Sequence, residues 1–205
     1  MLRLVLALTL LTGCPSPTTY IGDPAQPMAG RVFTLDVSDD GATVTTVETQ
    51  PHDVVPLLVP QQGGFVIWAG VRLFNFDPTR VTLSGEIKDP VTGNALSGRD
   101  TRQAKFALDT PADGFASPID LDTFSTIPNI PACPDFLGHG ALGPAILEIV
   151  ATDLQQKTAT FDIAVTPACT HASNHDFCTC VCGPDYVEGR CGQDGGAAAD
   201  ARGGD

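Results

Sequence analysis

Apolar and polar residues alternate along several short stretches of the chain, as they do in half-buried β-strands. Every second residue in 33–37 is apolar, and after an Asp-Asp-Gly turn residues 42–48 form a second β-rich stretch. Residues 65–74 are nearly all apolar and contain Trp68, the only tryptophan. We therefore expect residues 65–74 to form a central, buried strand.

Four further stretches complete a prediction of seven strands without a convincing helix. They are residues 81–88, 104–108, 146–152 and 158–165. Residues 51–64 contain three prolines and predict a loop or a ragged edge strand. Residues 109–145 are rich in proline and glycine and predict a long insertion that packs on the domain.

The last two predicted strands carry a family resemblance. Residues 147–153 and 159–167, which end in Val165-Thr166-Pro167, resemble the closing strands of bacterial immunoglobulin-like domains. The resemblance implies an all-β fold, an immunoglobulin-like β-sandwich of about seven strands over residues 31–167. It implies a fold and not an activity.

The N-terminus has the pattern of an export signal. Arg3 precedes an apolar run over residues 4–11, which is too short to span a membrane. The run ends in Leu11-Thr12-Gly13-Cys14, which resembles the lipobox of bacterial lipoproteins. The resemblance implies that residues 1–13 are a signal peptide and that Cys14 becomes the lipidated N-terminus. An ordinary secretory signal with a chance cysteine is the alternative.

Lipidation of Cys14 would tie the chain to the cell envelope by its acyl chains. Pro15 and Ser16 follow the cysteine instead of the aspartate common in inner-membrane lipoproteins, which favours the outer membrane. Residues 14–30 contain four prolines and predict an extended tether. The formal net charge of -13 argues against nucleic-acid binding and against attraction to anionic lipid surfaces.

Five of the seven cysteines lie in residues 168–191, a segment too small and polar to hold a shape without cross-links. With Cys14 lipidated, an even number remains in an exported chain, which predicts disulfides. Cys180, Cys182 and Cys191 resemble the C-terminal half of an EGF-like module, although the upstream cysteines do not match. Residues 192–205 are predicted to be a disordered tail. The six disulfide candidates are Cys133, Cys169, Cys178, Cys180, Cys182 and Cys191.

One pairing and one alternative can be stated for these cysteines. Cys133 and Cys169 each follow Pro-Ala and flank the last predicted hairpin, so we expect them to pair. The alternative is a zinc site, since zinc takes four nitrogen or sulfur ligands. Its ligands would come from His171, His175, Cys178, Cys180 and Cys182, but in an oxidising compartment we expect disulfides instead.

Other motifs in the sequence lack the neighbouring elements or residues that their function requires. Residues 138–143 spell G-x-G-x-x-G, but no strand–helix pair surrounds them. Asp36, Ser38 and Asp40 imitate the start of a calcium loop whose twelfth position is Val47 instead of glutamate. No G-x-S-x-G motif is present, and we expect neither a catalytic set nor a cofactor.

The sequence therefore predicts a non-enzymatic cell-envelope lipoprotein that displays a binding or interaction module at the membrane surface. Its partner would be an envelope or extracellular protein or a glycan. Two alternatives stay open: an envelope-associated hydrolase that uses loop carboxylates, and a structural spacer without a specific ligand.

Overall fold

The computed structural model describes residues 20–191, except 40, 61, 110, 134–142 and 185. Within them, nine strands form two sheets, ordered β2-β1-β4-β7 and β3-β9-β8-β5-β6. Every pairing is antiparallel apart from the parallel pair β3–β9. The strands are β1 (Ala29–Val37), β2 (Val44–Glu48), β3 (Asp53–Pro56), β4 (Phe65–Phe74), β5 (Val81–Lys88), β6 (Asp100–Ala104), β7 (Asn129–Cys133), β8 (Ala145–Asp153) and β9 (Thr158–Ala168).

Strand β4 has the central position expected from its apolar sequence. It lies between β1 and β7, and residues 65–71 are all buried. In the other sheet, Val81, Leu83 and Ile87 of β5 are buried, as their spacing predicts. Side chains from both sheets join one buried apolar cluster.

Two glycines allow close packing in this core. Gly85 of β5 faces Ile130 of β7 across the two sheets, and a Cβ at Gly85 would lie 2.6 Å from Ile130 Cδ1. Gly70 of β4 pairs with Phe33 of β1, and a Cβ at Gly70 would lie 2.6 Å from the Phe33 ring. The Phe33 ring thus fills the space that a larger residue at 70 would need.

Three edge strands differ from the sequence prediction or were only partly predicted. The strand predicted over residues 104–108 is wrong in its bounds, because β6 ends at Ala104 and Phe106 forms an isolated bridge with Pro118. Strand β7 lies inside the predicted insertion, where Pro131 is tolerated at the edge of the sheet. Strand β3 is an edge strand in the stretch 51–64.

The folded part begins before Arg31, the first residue expected in the domain. Ile21 and Met28 are buried, and Ile21 forms a backbone bridge with Phe76. Lys157 Nζ, at the β8–β9 turn, donates hydrogen bonds to the Tyr20 hydroxyl at 2.9 Å, the Pro24 carbonyl at 3.3 Å and the Gln26 carbonyl. Residues 20–30, which we expected in the tether, therefore pack on the domain because apolar burial and one lysine hold them there.

The Cys-rich segment contains an α-helix, α1 (His175–Cys182), so the expectation of a chain without helices is wrong. Two short 3-10 helices also occur, over Leu121–Thr123 and Ala172–Asn174. Residues four apart lie on one face of a helix, and accordingly Cys178 and Cys182 both face inward and are buried. Cys180, between them, is exposed. We attribute this helix to its disulfides, because eight residues are marginal for an isolated helix.

Candidate functional site

The six cysteines within the described residues form three disulfides. The bonds join Cys133 to Cys182, Cys169 to Cys178 and Cys180 to Cys191. The expected pair Cys133–Cys169 is wrong, because helix α1 brings Cys182 to Cys133 and leaves Cys169 to its near neighbour Cys178. Cys14, the expected lipidation site, lies outside the described residues.

The residues of the zinc alternative have other partners. Among the described residues, only the sulfurs of Cys169, Cys178 and Cys182 form a group within 4.8 Å of one another, and all three are in disulfides. Thiolates are the zinc ligands that such a site requires. His171 lies beside Asp39, and His175 beside Asp176. The structure therefore does not bring the five proposed ligands together.

A cleft of about 530 Å³ brings together several residues that are far apart in the sequence. It lies where the four-stranded sheet meets the segment before α1. Trp68 of β4 and Asn129 of β7 are paired in register on neighbouring strands. His171 and Asn174 come from the segment that joins β9 to α1, and Phe124 from the loop after the first 3-10 helix.

Trp68 and Phe124 form the aromatic part of this cleft. Their rings stack with centroids 4.0 Å apart and planes 14° from parallel. Trp68 is only 6% exposed, whereas Phe124 is half-buried. Phe124 has a φ of 53°, in the left-handed region that bulky residues rarely adopt. The loop therefore accepts backbone strain to hold this ring over Trp68.

Four buried polar atoms on the lining of the cleft have no hydrogen-bond partner. Among the described residues, these four are all the buried side-chain nitrogen and oxygen atoms in that condition. An unsatisfied buried polar group costs about 1–3 kcal/mol. Their convergence on one cleft therefore needs a physical explanation. The atoms are Trp68 Nε1, Asn129 Oδ1, His171 Nε2 and Asn174 Oδ1.

Two of these groups lack the partner that their position would normally provide. Asn174 is the N-cap residue of α1, where an asparagine side chain ordinarily accepts a backbone hydrogen bond, but no such bond forms. Buried tryptophans ordinarily donate through Nε1, but that of Trp68 does not. Trp68 Nε1 and Asn174 Oδ1 are therefore left without a hydrogen-bond partner within the fold.

The charged side chains at the cleft each lie beside a polar partner. His171 Nδ1 is 3.3 Å from Asp39 Oδ1, and its Nε2 is 3.2 Å from Asp36 Oδ1 but out of line for a hydrogen bond. Arg102 Nε donates to Asp100 Oδ2 at 2.7 Å. The same Asp100 oxygen accepts from the Asn129 backbone N–H at 2.7 Å, which fixes the start of β7 beside Arg102.

Comparisons with known proteins leave the site to be interpreted from its own geometry. No protein-family model matches the chain, and no curated protein matches it either.

The hydrolase alternative would need carboxylates poised for acid–base chemistry. Glu86 and Glu148, opposite each other on β5 and β8, are the most buried glutamates. Arg99 hydrogen-bonds both, and Lys88 also binds Glu148. Burial acts to raise the pKa of Glu86, but the contacts with Arg99 and then Lys88 outweigh it and hold the pKa below its ordinary value. The Glu86 carboxylate therefore stays ionised at neutral pH, and neither glutamate lies on the cleft lining.

The remaining sequence motifs provide no further site among the described residues. Ser38 lies in the turn between β1 and β2, where its hydroxyl accepts the Thr43 backbone N–H at 2.9 Å. Asp40 and most of the G-x-G-x-x-G stretch at 138–143 lie outside the described residues. In the described ranges no helix has both the length and the apolar character needed to cross a bilayer.

Sequence reasoning found only part of the cleft. Trp68 and His171 were singled out, the first as a core residue and the second as a zinc ligand. Asn129 and Asn174 were missed, because a single asparagine carries no spacing pattern that could mark it. Phe124 lies in the stretch 109–145, which was predicted only as an insertion that packs on the domain, and its positive φ has no sequence signal outside glycine and asparagine.

Proposed function

We propose that this chain is a non-enzymatic cell-envelope lipoprotein whose folded part is a binding module, and that the Trp68–Phe124 cleft is its binding site. The observation that carries the proposal is that four buried side-chain atoms without a hydrogen-bond partner all belong to residues that line this cleft. A ligand that bonded to them would gain the free energy of those hydrogen bonds. The cleft volume lies within the usual range of about 300–1,000 Å³ for small-molecule sites.

The envelope location rests on the lipobox resemblance at Cys14 and is supported by the three disulfides, since such bonds persist in oxidising compartments. Acyl chains on Cys14 would hold the module at a membrane, with the outer membrane favoured by Pro15 and Ser16. For the fold, we propose an immunoglobulin-like β-sandwich. Support comes from two mainly antiparallel sheets that share one core.

Labelling with an alkyne analogue of palmitate in a bacterial host tests the anchor. We expect the wild-type chain to carry the label and to sediment with envelope membranes, and Cys14→Ser to carry none. A labelled Cys14→Ser chain, or an unlabelled wild type that is secreted in soluble form, would contradict the anchor.

Thermal unfolding of the mature chain with a panel of sugars, peptides, nucleotides and lipid headgroups tests the binding role. At a ligand concentration one hundred times Kd, binding stabilises the folded state by about 2.7 kcal/mol. For a chain of this size, that corresponds to an increase in Tm of roughly 5–10 °C. If no class of compound raises Tm, the cleft is not a binding site and a spacer role remains.

A further inference from the structure

We infer that the ligand of the Trp68–Phe124 cleft is an uncharged, polyhydroxylated molecule: a sugar or a short neutral glycan. The inference rests on the binding function proposed above and names its ligand class. It follows from three features of the cleft: its aromatic surface, the mixture of donors and acceptors without a hydrogen-bond partner, and the polar partner that each charged lining residue already has among the residues that the structure describes.

The aromatic surface suits a ring that has an apolar face. Phe124 lies on the cleft lining with its ring held parallel to that of Trp68. A pyranose presents a face of C–H groups to such a ring, and weak C–H contacts with an aromatic surface add to the burial of apolar area. The strained backbone at Phe124 keeps this surface in place before any ligand arrives.

The unpartnered atoms need both a donor and an acceptor from the ligand. Trp68 Nε1 can only donate, whereas Asn129 Oδ1 and Asn174 Oδ1 can only accept. A hydroxyl group does both, so one polyhydroxylated ligand can satisfy all three atoms. A phosphate or carboxylate could meet only the tryptophan, and an ammonium group only the two amide oxygens.

The charges of the cleft favour a neutral ligand. The charged side chains on the described lining already have partners: Arg102 lies against Asp100, and Asp39 Oδ1 lies 3.3 Å from His171 Nδ1 and 3.4 Å from the Ser173 hydroxyl. An anionic ligand would have to displace Asp100 from Arg102, and a cationic ligand would have to displace His171 and Ser173 from Asp39. A neutral ligand leaves both pairs intact.

The test uses the mature full-length chain and the fluorescence of Trp68, which is the only tryptophan and lies in the cleft. The probes are neutral cello-, malto-, manno- and chito-oligosaccharides, with oligogalacturonate and a lysine-rich peptide as charged comparisons. We expect a neutral oligosaccharide to change the Trp68 emission with saturation, and the charged probes to have no effect.

Variants then locate the ligand by calorimetry, which does not depend on the tryptophan signal. Asn129→Ala and Asn174→Ala each remove one acceptor, and we expect each to weaken binding by about tenfold. Phe124→Ala removes the stacking surface and should weaken binding at least as much. Asn94→Ala is the matched control, because Asn94 is exposed in the β5–β6 connection and does not line the cleft; its affinity should equal that of the wild type.

The possible results separate this inference from the proposed function. Binding of a charged probe at Trp68 without binding of any neutral oligosaccharide would overturn the ligand class and leave the binding role intact. If oligosaccharides bind both asparagine variants as tightly as the wild type, these side chains do not form the binding site and its assignment to this cleft is overturned. No binding by any probe class, here or in the thermal panel, would overturn both.

Discussion

Loss of the disulfide between Cys133 and Cys182 should destabilise the fold more than loss of the bond between Cys180 and Cys191. The first bond closes a sequence separation of 49 residues and the second one of 11. The chain-entropy treatment of disulfides then gives about 4 kcal/mol for the longer loop and about 3 kcal/mol for the shorter. Burial adds to the difference, because Cys133 and Cys182 are inside the core whereas Cys180 is exposed.

Urea unfolding of two double variants measures this difference. The double variant Cys133→Ala with Cys182→Ala removes the long-range disulfide. Cys180→Ala with Cys191→Ala is the matched control, because it also removes two cysteines and one disulfide. With a slope near 2 kcal/mol/M, the midpoints should fall by about 2 M and about 1.5 M. An equal or smaller loss for the first variant, or a peptide map that links Cys133 to another cysteine, would refute the reasoning.

Three further predictions concern the charged cluster and the core. Arg99→Met should destabilise the fold by about 2 kcal/mol at neutral pH, because it leaves two buried glutamates facing each other. This value lies between those for exposed and buried ion pairs. Urea unfolding measures it, and the exposed control Arg80→Met should have a stability near that of the wild type. The pKa of Glu86 is lowered on folding, so ionised Glu86 stabilises the fold above its unfolded pKa, and this stabilisation should be lost as the pH falls below about 4.5. In acid unfolding curves, the loss of stability caused by Arg99→Met should therefore become smaller. Gly70→Ala should cost about 1–3 kcal/mol through its clash with the Phe33 ring, and an unchanged Tm would contradict that packing.

The strands that were predicted well are those in which one residue type dominates each face. Residues 65–74 are apolar enough to require burial and rich in the β-branched and aromatic residues that favour a strand, and the alternation of Val81, Leu83 and Ile87 indicates the inner face of β5. The edge strands β3, β6 and β7 were harder to predict, because they have only four or five residues, too few to show a clear alternation. The bounds of these strands depend on pairing with strands distant in the sequence, and the periodicity of the sequence does not predict that pairing.

The Cys-rich segment shows the limit of reasoning from spacing. Cys178, Cys180 and Cys182 alternate as on a strand, but the helix places the outer two on one face and the middle one on the other. Six cysteines allow 15 pairings, and only the fold distinguishes them. The cleft was likewise beyond prediction, because its asparagines are brought together by a β-pairing and a disulfide-anchored segment that are far apart in sequence.

The packing of residues 20–30 on the domain determines how far the module could stand from a membrane. A free stalk from Cys14 to Gly30 could extend by about 55 Å, at roughly 3.4 Å per residue. With Tyr20 held by Lys157, only six residue steps separate the proposed lipid attachment from the folded surface, a reach of at most about 20 Å. The folded part of a lipidated chain would therefore lie close against the lipid headgroups. The glycans within its reach would be those of the layer next to the membrane surface.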